Sequence, residues 1–529
     1  MLLAVVARCA EPRTGYLTLG VPDRQVAQAT AISSFPRTRS VISWPLTEGV
    51  TMLTAGAARA YIDPPLPNDP QGYIRRDTPA LDHGDPLEIT GMVLECDGGI
   101  AVVLAADLTG YDVECARLIR EQVAATISCS PADVLLNASH SHAAPWARSD
   151  DAKLGGGHDH YTASERAYVN RLPYDFASVA LRAWRERRPA RVSGGTGRAP
   201  GIAVNRRERT ADGRTILGWN RELAIDDEVP TIRVDDLHGR AIATVTSFGC
   251  HPVVVGPEVA KTGTDYVGPL RRRVEDLRGG GVCIFLQGAA GNVLPLEAFF
   301  DHEGPELAMG TRLGLEAAHA VADADPIVRD IVKIDYGSVT PISLYRRTPA
   351  AEQPDQRLAV SRRIVDLPLL APPTIEALTE ELRQRTEEYD AAVAIGAPRT
   401  QTNPVLYHLN WLRTMLAHDG DLGTWRTSAG EVWAMRIDDC AIVGTPGELF
   451  TEIGLEVRQR SPFGTTLFAG YCQGILGYVA TADEHPHGGY EPAVAQRGFA
   501  HPAPFAPEAA KMLVDTALEL LNELHRGGC

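Results

Sequence analysis

Long hydrophobic runs are missing: nowhere in the 529 residues does an apolar stretch reach the length that spans a bilayer. Cysteine is scarce as well. The nine cysteines are scattered, odd in number and contain no CxxC pair. A disulfide framework and a zinc-ribbon site are thereby disfavoured. Most lie in apolar contexts such as "VLECDG" and "GVCIFL", so reduced, buried thiols in a cytoplasmic setting are expected. No basic block occurs, and the formal charge is −16. Nucleic acid and an anionic membrane are therefore poor partners. GxSxG and HExxH are both absent, which argues against a serine-hydrolase elbow and a zincin helix. No internal repeat or low-complexity linker is visible.

What remains is an ordinary globular composition, 44% hydrophobic and 22% charged. Residues 1–51 read unlike the rest and are taken as an N-terminal extension. From Met52 onward, apolar runs with strand character alternate with amphipathic helical patterns. "YDVECARLIREQVAATI" reads as a helix, and "VLLNAS" as the strand after it. Thr162 and Glu165 have capping-box spacing and open a helix that Pro173 should interrupt. "RAIATVTSFG" and "VCIFLQ" read as strands flanking the helical "GPLRRRVEDL". "WAMRIDDCAIVGTPG" reads as two strands and a turn, leading to a helix that opens at Glu448. This alternation predicts an α/β fold, a mixed β-sheet sandwich flanked by helices, as one domain over 52–529.

The unusual polar residues cluster just after strands, where α/β folds assemble sites. His140 and His142 follow "VLLNAS". If that strand continued, both imidazoles would share one face. Such a pair suits a metal, or one ligand and one proton-transfer group. It also suits a polar loop that merely contains histidines. His251 follows "ATVTSFGC", Glu448 follows "AIVGTPG", and Tyr478 follows "TLFAGYCQGILG". Glu448 has a second reading as a carboxylate at a helix N-terminus. Asp107 after "LAA" suits a turn or a site equally.

Taken in order, seven stretches resemble the neutral ceramidase family, the neutral/alkaline non-lysosomal ceramidases, over its catalytic domain. They are "NASHSHAAPW", "VNRRE", "FGCHPVVVG", "TDYVGPL", "LQGAAGNVLP", "TPGELFTEIG" and "GYVATADEHPHGGYE". The resemblance implies a zinc-dependent amide hydrolase (an amidase) acting on linear C–N bonds. Zn2+ would be held by His140, His251, Glu448 and Tyr478. His142, Arg206 and Tyr490 would be catalytic. A zinc-bound water would attack an amide, or an ester, of a small molecule. His142 would carry its proton, and Arg206 and Tyr490 would stabilise the oxyanion. Arg207 competes with Arg206 for that assignment.

Two departures from the family pattern stand out. Gly288 replaces a family serine, and Asn292 replaces an aspartate. The chain also ends where the family's catalytic domain would end, without the C-terminal immunoglobulin-like domain. The expected substrate is accordingly an N-acyl compound or small amide rather than ceramide itself. Gly288 should widen the pocket floor or bring backbone N–H groups toward the substrate. The competing expectation is a catalytically inactive ligand-binding member of the same fold. The pairs His158/His160 and His485/His487 could bind a second metal, but with glycines flanking both they are expected rather on mobile loops at the pocket rim. Homo-oligomerisation is left open.

Overall fold

Eight strands form one sheet and four form another. In chain order the first eight are Thr54–Tyr61 (β1), Glu88–Cys96 (β2), Gly99–Ala106 (β3), Val134–Ala138 (β4), Arg188–Arg198 (β5), Glu228–Asp236 (β6), Ala241–Phe248 (β7) and Val282–Gln287 (β8). The smaller sheet holds Leu358–Pro368 (β9), Thr427–Ile437 (β10), Cys440–Gly444 (β11) and Thr465–Ala469 (β12). The helices of ten residues or more are Val113–Ile127 (α1), Ala163–Arg185 (α2), Val267–Arg278 (α3), Pro305–Ala320 (α4), Ile375–Ala394 (α5), Arg399–Leu416 (α6), Thr451–Arg460 (α7) and Glu508–Arg526 (α8), and a single turn, Tyr490–Ala493, carries Tyr490 and Glu491. The computed structural model describes residues 52–149, 161–335, 340, 342–418 and 421–527. They fall in one compact unit, Val50–Cys529. The expected extension over 1–51 lies outside the described residues.

The architecture is the expected mixed α/β sandwich. Strand order is β8-β7-β6-β5-β1-β2-β3-β4 in the large sheet and β9-β10-β11-β12 in the small one. Alternating side chains send Met92, Leu94, Val103 and Leu135 inward against Trp433, Met435, Ile442 and Leu467 of the other sheet. The opposite face of the large sheet is covered by α1 and α2 at one end and by α3 and α4 at the other. Helices α7 and α8 cover the outer face of the small sheet. Strands buried on both faces explain the near-continuous apolar runs.

A repeat does exist, in topology rather than in sequence. Three units each run through two antiparallel pairings, then a parallel pairing reached through a helix, then a closing helix. The parallel pairs are β3–β4 through α1, β7–β8 through α3 and β11–β12 through α7. The antiparallel pairs are β1–β2–β3, β5–β6–β7 and β9–β10–β11. Units one and two join through β1 and β5. The last strands of all three units then meet. The amide of Asn137 donates to Gly470 O at 2.7 Å, its Oδ1 accepts Gln287 N at 2.9 Å, and Gly470 N donates to Gln287 O at 3.0 Å. Asn137 is fully buried, so these bonds satisfy a polar side chain that would otherwise be costly to bury.

Three local expectations are corrected. Pro173 does not interrupt α2, whose buried face (Val169, Leu172, Phe176, Val179) keeps it continuous past the missing N–H. Thr162 and Glu165 do form the capping box. Glu448 does not open a helix: Glu448–Leu449 is a short strand paired in parallel with Tyr478–Val479, and α7 starts at Thr451. Strand β4 stops at Ala138, before the two histidines.

Candidate metal centre and active-site cavity

The site is built where the strand ends converge. Leaving β4, the chain turns sharply, and His140 adopts φ +64°, a left-handed conformation that non-glycine residues rarely hold. This turn brings the two imidazoles together, not the pleat that their spacing suggested. His140 Nε2 and His142 Nε2 are 3.2 Å apart. His251 arrives from the end of β7 and Glu448 from the loop after β11. Gly447, at φ +112°, lets that loop pass close to Gly477, where an added Cβ would stand 2.7 Å from a carbonyl oxygen. The turn thus sets Glu448 directly opposite Tyr478.

Nitrogen and oxygen donors converge. His140 Nε2 and His251 Nε2 lie 3.4 and 3.2 Å from Glu448 Oε2. Tyr478 OH and Arg206 Nη1 each lie 3.3 Å from His251 Nε2. Each of the two histidines is fixed from behind. His140 Nδ1 meets Thr109 O at 2.6 Å, and His251 Nδ1 meets Ala290 O at 2.7 Å. A carbonyl can only accept, so Nδ1 carries the proton and the Nε2 lone pairs face each other. Outer carbonyls of this kind orient histidines that ligate metals. His142 differs, since its buried Nδ1 has no hydrogen-bond partner. His140, His142 and His251 form a group that could hold a metal ion, their nitrogens within 4.8 Å of one another.

Burial sets the charge states. It pushes the His142 imidazole well below its usual range, helped by His140 and His251. Burial and then Arg206 bring His251 down to about 4. Burial alone would raise the Glu448 carboxyl, but His140 and His251 outweigh it and hold it well below the usual range. Burial lifts the Tyr478 and Tyr490 hydroxyls well above theirs. Burial also opposes the Arg206 charge, yet Tyr478 and Glu491 outweigh it and keep the guanidinium protonated. A neutral His251 beside an ionised carboxylate is the state that metal ligation needs.

All seven sequence-derived site residues line one cavity of about 610 Å³: His140, His142, Arg206, His251, Glu448, Tyr478 and Tyr490. Arg207 does not. It is wholly buried behind the site, ion-paired to Glu484 and Glu491. Asp107 is a structural anion, bonded to Arg271 at 3.0 and 2.6 Å. Gly288 is absent from the cavity lining, which corrects the expected widening of the floor. Its N–H donates to Phe248 O, and a Cβ there would meet Gly249 backbone at 3.0 Å. Asn292 bonds Thr451 N and Glu452. His485 and His487 form a short turn and join no three-ligand group among the described residues. His158 and His160 lie outside the described residues.

The sequence reading missed several neighbours. Tyr471 is fully buried, its ring 4.5 Å from that of His140 and its hydroxyl 3.4 Å from Glu448 Oε2. Glu491 bonds both Arg206 and Arg207. Neither stands out in "AGYCQG" or "GGYE". The outer wall is largely apolar and aromatic, with Tyr73, Trp146, Leu217, Phe299, Tyr407 and Phe499. Much of it comes from the connections between the first two strands of each unit. Residues 62–87 supply Gln71 to Arg75, 199–227 supply Arg206 and Leu217, and 369–426 supply Tyr407.

Among solved structures, this fold is that of ceramidases. A neutral ceramidase from Pseudomonas aeruginosa matches with TM-score 0.62 at 17% identity, over 90% of this chain and 75% of that one. A ceramidase complexed with C2 matches with TM-score 0.63 at 16% identity, over the same shares. No protein-family model matches the chain, and no curated protein matches its sequence. No described helix is long and apolar enough to cross a membrane.

Proposed function

We propose that this chain is a zinc-dependent hydrolase of linear amide bonds, with esters as secondary substrates. One observation carries the reading: His140 Nε2, His251 Nε2 and Glu448 Oε2 converge in a buried cavity, and both histidines are locked at Nδ1 by carbonyls. This donor set fits zinc, with His140, His251 and Glu448 as ligands and Tyr478 as the fourth. When bound, zinc would polarise the substrate carbonyl and make water a nucleophile near neutral pH.

The remaining residues supply the rest of the reaction. His142 sits beside the ligands, its Nε2 3.2 Å from His140 Nε2, and in this reading takes the proton from water and delivers it to the leaving amine. Arg206 Nη2 is a buried donor without a partner. Arg206 and Tyr490 both line the cavity, and their N–H and O–H donors would stabilise the charge that grows on the carbonyl oxygen. The aromatic and aliphatic outer wall suits an N-acyl chain or a small apolar amide. The ceramidase names of both matched structures support amide chemistry. Residues 52–529 would form the catalytic domain, extended by 1–51. The seven described cysteines are free and mostly buried, which supports a reducing, cytoplasmic setting.

Elemental analysis of the purified protein should give one zinc per chain, and chelation should abolish cleavage across a panel of N-acyl amides and esters. Turnover that survives chelation would sink the reading.

A further inference from the structure

Arg206, Arg207 and Arg209 follow closely on one strand, Ala203–Arg209, and Arg206 and Arg207 are 4% and 0% exposed. Buried guanidinium groups need carboxylates. Two answer, both from the segment that carries Tyr490. Glu484 pairs with Arg207 and Arg209. Glu491, 2% exposed, accepts Arg206 Nε at 2.8 Å on one oxygen and Arg207 Nη1 at 2.7 Å on the other. Arg207 Nη2 also donates to Gly488 O at 2.7 Å. Both oxygens of Glu491 are thus committed, and Glu491 does not line the cavity.

The consequence lies on the far side of Arg206. With Nε held by Glu491, Nη1 lies 3.3 Å from His251 Nε2, on the side of the cavity that Arg206 lines. Tyr490, the other donor on that wall, is the residue before Glu491, and the Arg207 clamp holds the same segment. Glu491 therefore orients Arg206 by a charged hydrogen bond.

We propose that Glu491 is a positioning residue that aims Arg206 at a carbonyl-derived anion. This rests on the hydrolase reading above. Glu491→Gln retains an acceptor for only one arginine, and its NH2 group opposes the other. Two probes test the idea in a double-substitution cycle with Arg206→Ala. The first is decanoate binding to metal-free protein, measured by calorimetry. The second is hydrolysis of decanoyl p-nitroanilide by the zinc-loaded protein. Arg206→Ala should weaken decanoate at least tenfold and lower kcat by about 10²–10³, as loss of an oxyanion donor does. Glu491→Gln should lower kcat by about 10- to 100-fold, with KM and zinc content near wild type. In the Arg206→Ala background, Glu491→Gln should then cost under threefold in either assay.

Fold changes that multiply in the double variant would overturn the proposal, as would wild-type protein that does not bind decanoate. If Glu491→Gln fails to melt cooperatively, Glu491→Asp, whose shorter carboxylate cannot span both arginines, enters the same cycle. Wild-type protein that binds decanoate through Arg206 yet neither holds zinc nor cleaves the anilide would instead refute the hydrolase reading.

Discussion

The three units place very different residues at equivalent strand ends. Beyond the third strand of each lie Asp107, His251 and Glu448. Beyond the fourth lie His140, Gly288 and Tyr471. Asp107 closes a buried ion pair with Arg271, and Gly288 packs against backbone. His140, His251 and Glu448 turn their donor atoms toward one point. Of these six strand-end residues, His140, His251, Glu448 and Tyr471 meet one another, while Asp107 and Gly288 serve the fold.

Substitutions at these equivalent ends should separate accordingly. Glu448→Ala or His140→Ala should remove zinc and reduce turnover to background, because each deletes a donor without an obvious substitute. Metal analysis alongside an activity assay checks this, and wild-type turnover by either variant would refute the assignment. Asp107→Ala should show the opposite pattern. It leaves Arg271 buried without its main partner, a loss of about 3–5 kcal/mol in denaturant unfolding. Zinc content of the folded fraction should stay at wild-type level. Tyr471→Phe falls between the two: without the hydroxyl near Glu448 Oε2, zinc affinity should drop about tenfold in a chelator competition. Gly288→Ser should have the smallest effect on chemistry. Crowding against Gly249 should lower stability by about 1 kcal/mol. Because position 288 does not line the cavity, kcat should be unchanged, and a gain in turnover would show that the position reaches the substrate after all.

Much of the fold was legible. The α/β class, the capping box at Thr162, strands β4, β7, β8, β10 and β11 and helices α1 to α3 follow from apolar period and turn residues, whereas β1, β2, β3, β5, β6, β9 and helix α6 were not singled out. Pro173 misled because a helix locked by four buried side chains tolerates one lost hydrogen bond. Glu448 misled because "TPGELFTEIG" suits a helix start equally well, and only pairing with Tyr478 makes a strand of its first residues. The seven candidate residues line one cavity, but they were singled out through a family resemblance, since their spacing alone left bland readings open. Tyr471 and Glu491 escaped because they act through another residue, and that leaves no local mark.

By itself, then, the sequence determined the α/β class, several of the buried strands and helices, and that polar residues gather after the strands. Local period and apolar content are enough for that. The tertiary structure alone decided that the last strands of three units meet at Asn137, Gln287 and Gly470. It also decided that a left-handed turn at His140 aims one imidazole at its neighbours, and that one buried carboxylate serves two arginines. Those outcomes depend on groups between 150 and 333 residues apart in the chain, whose pairing no local pattern encodes.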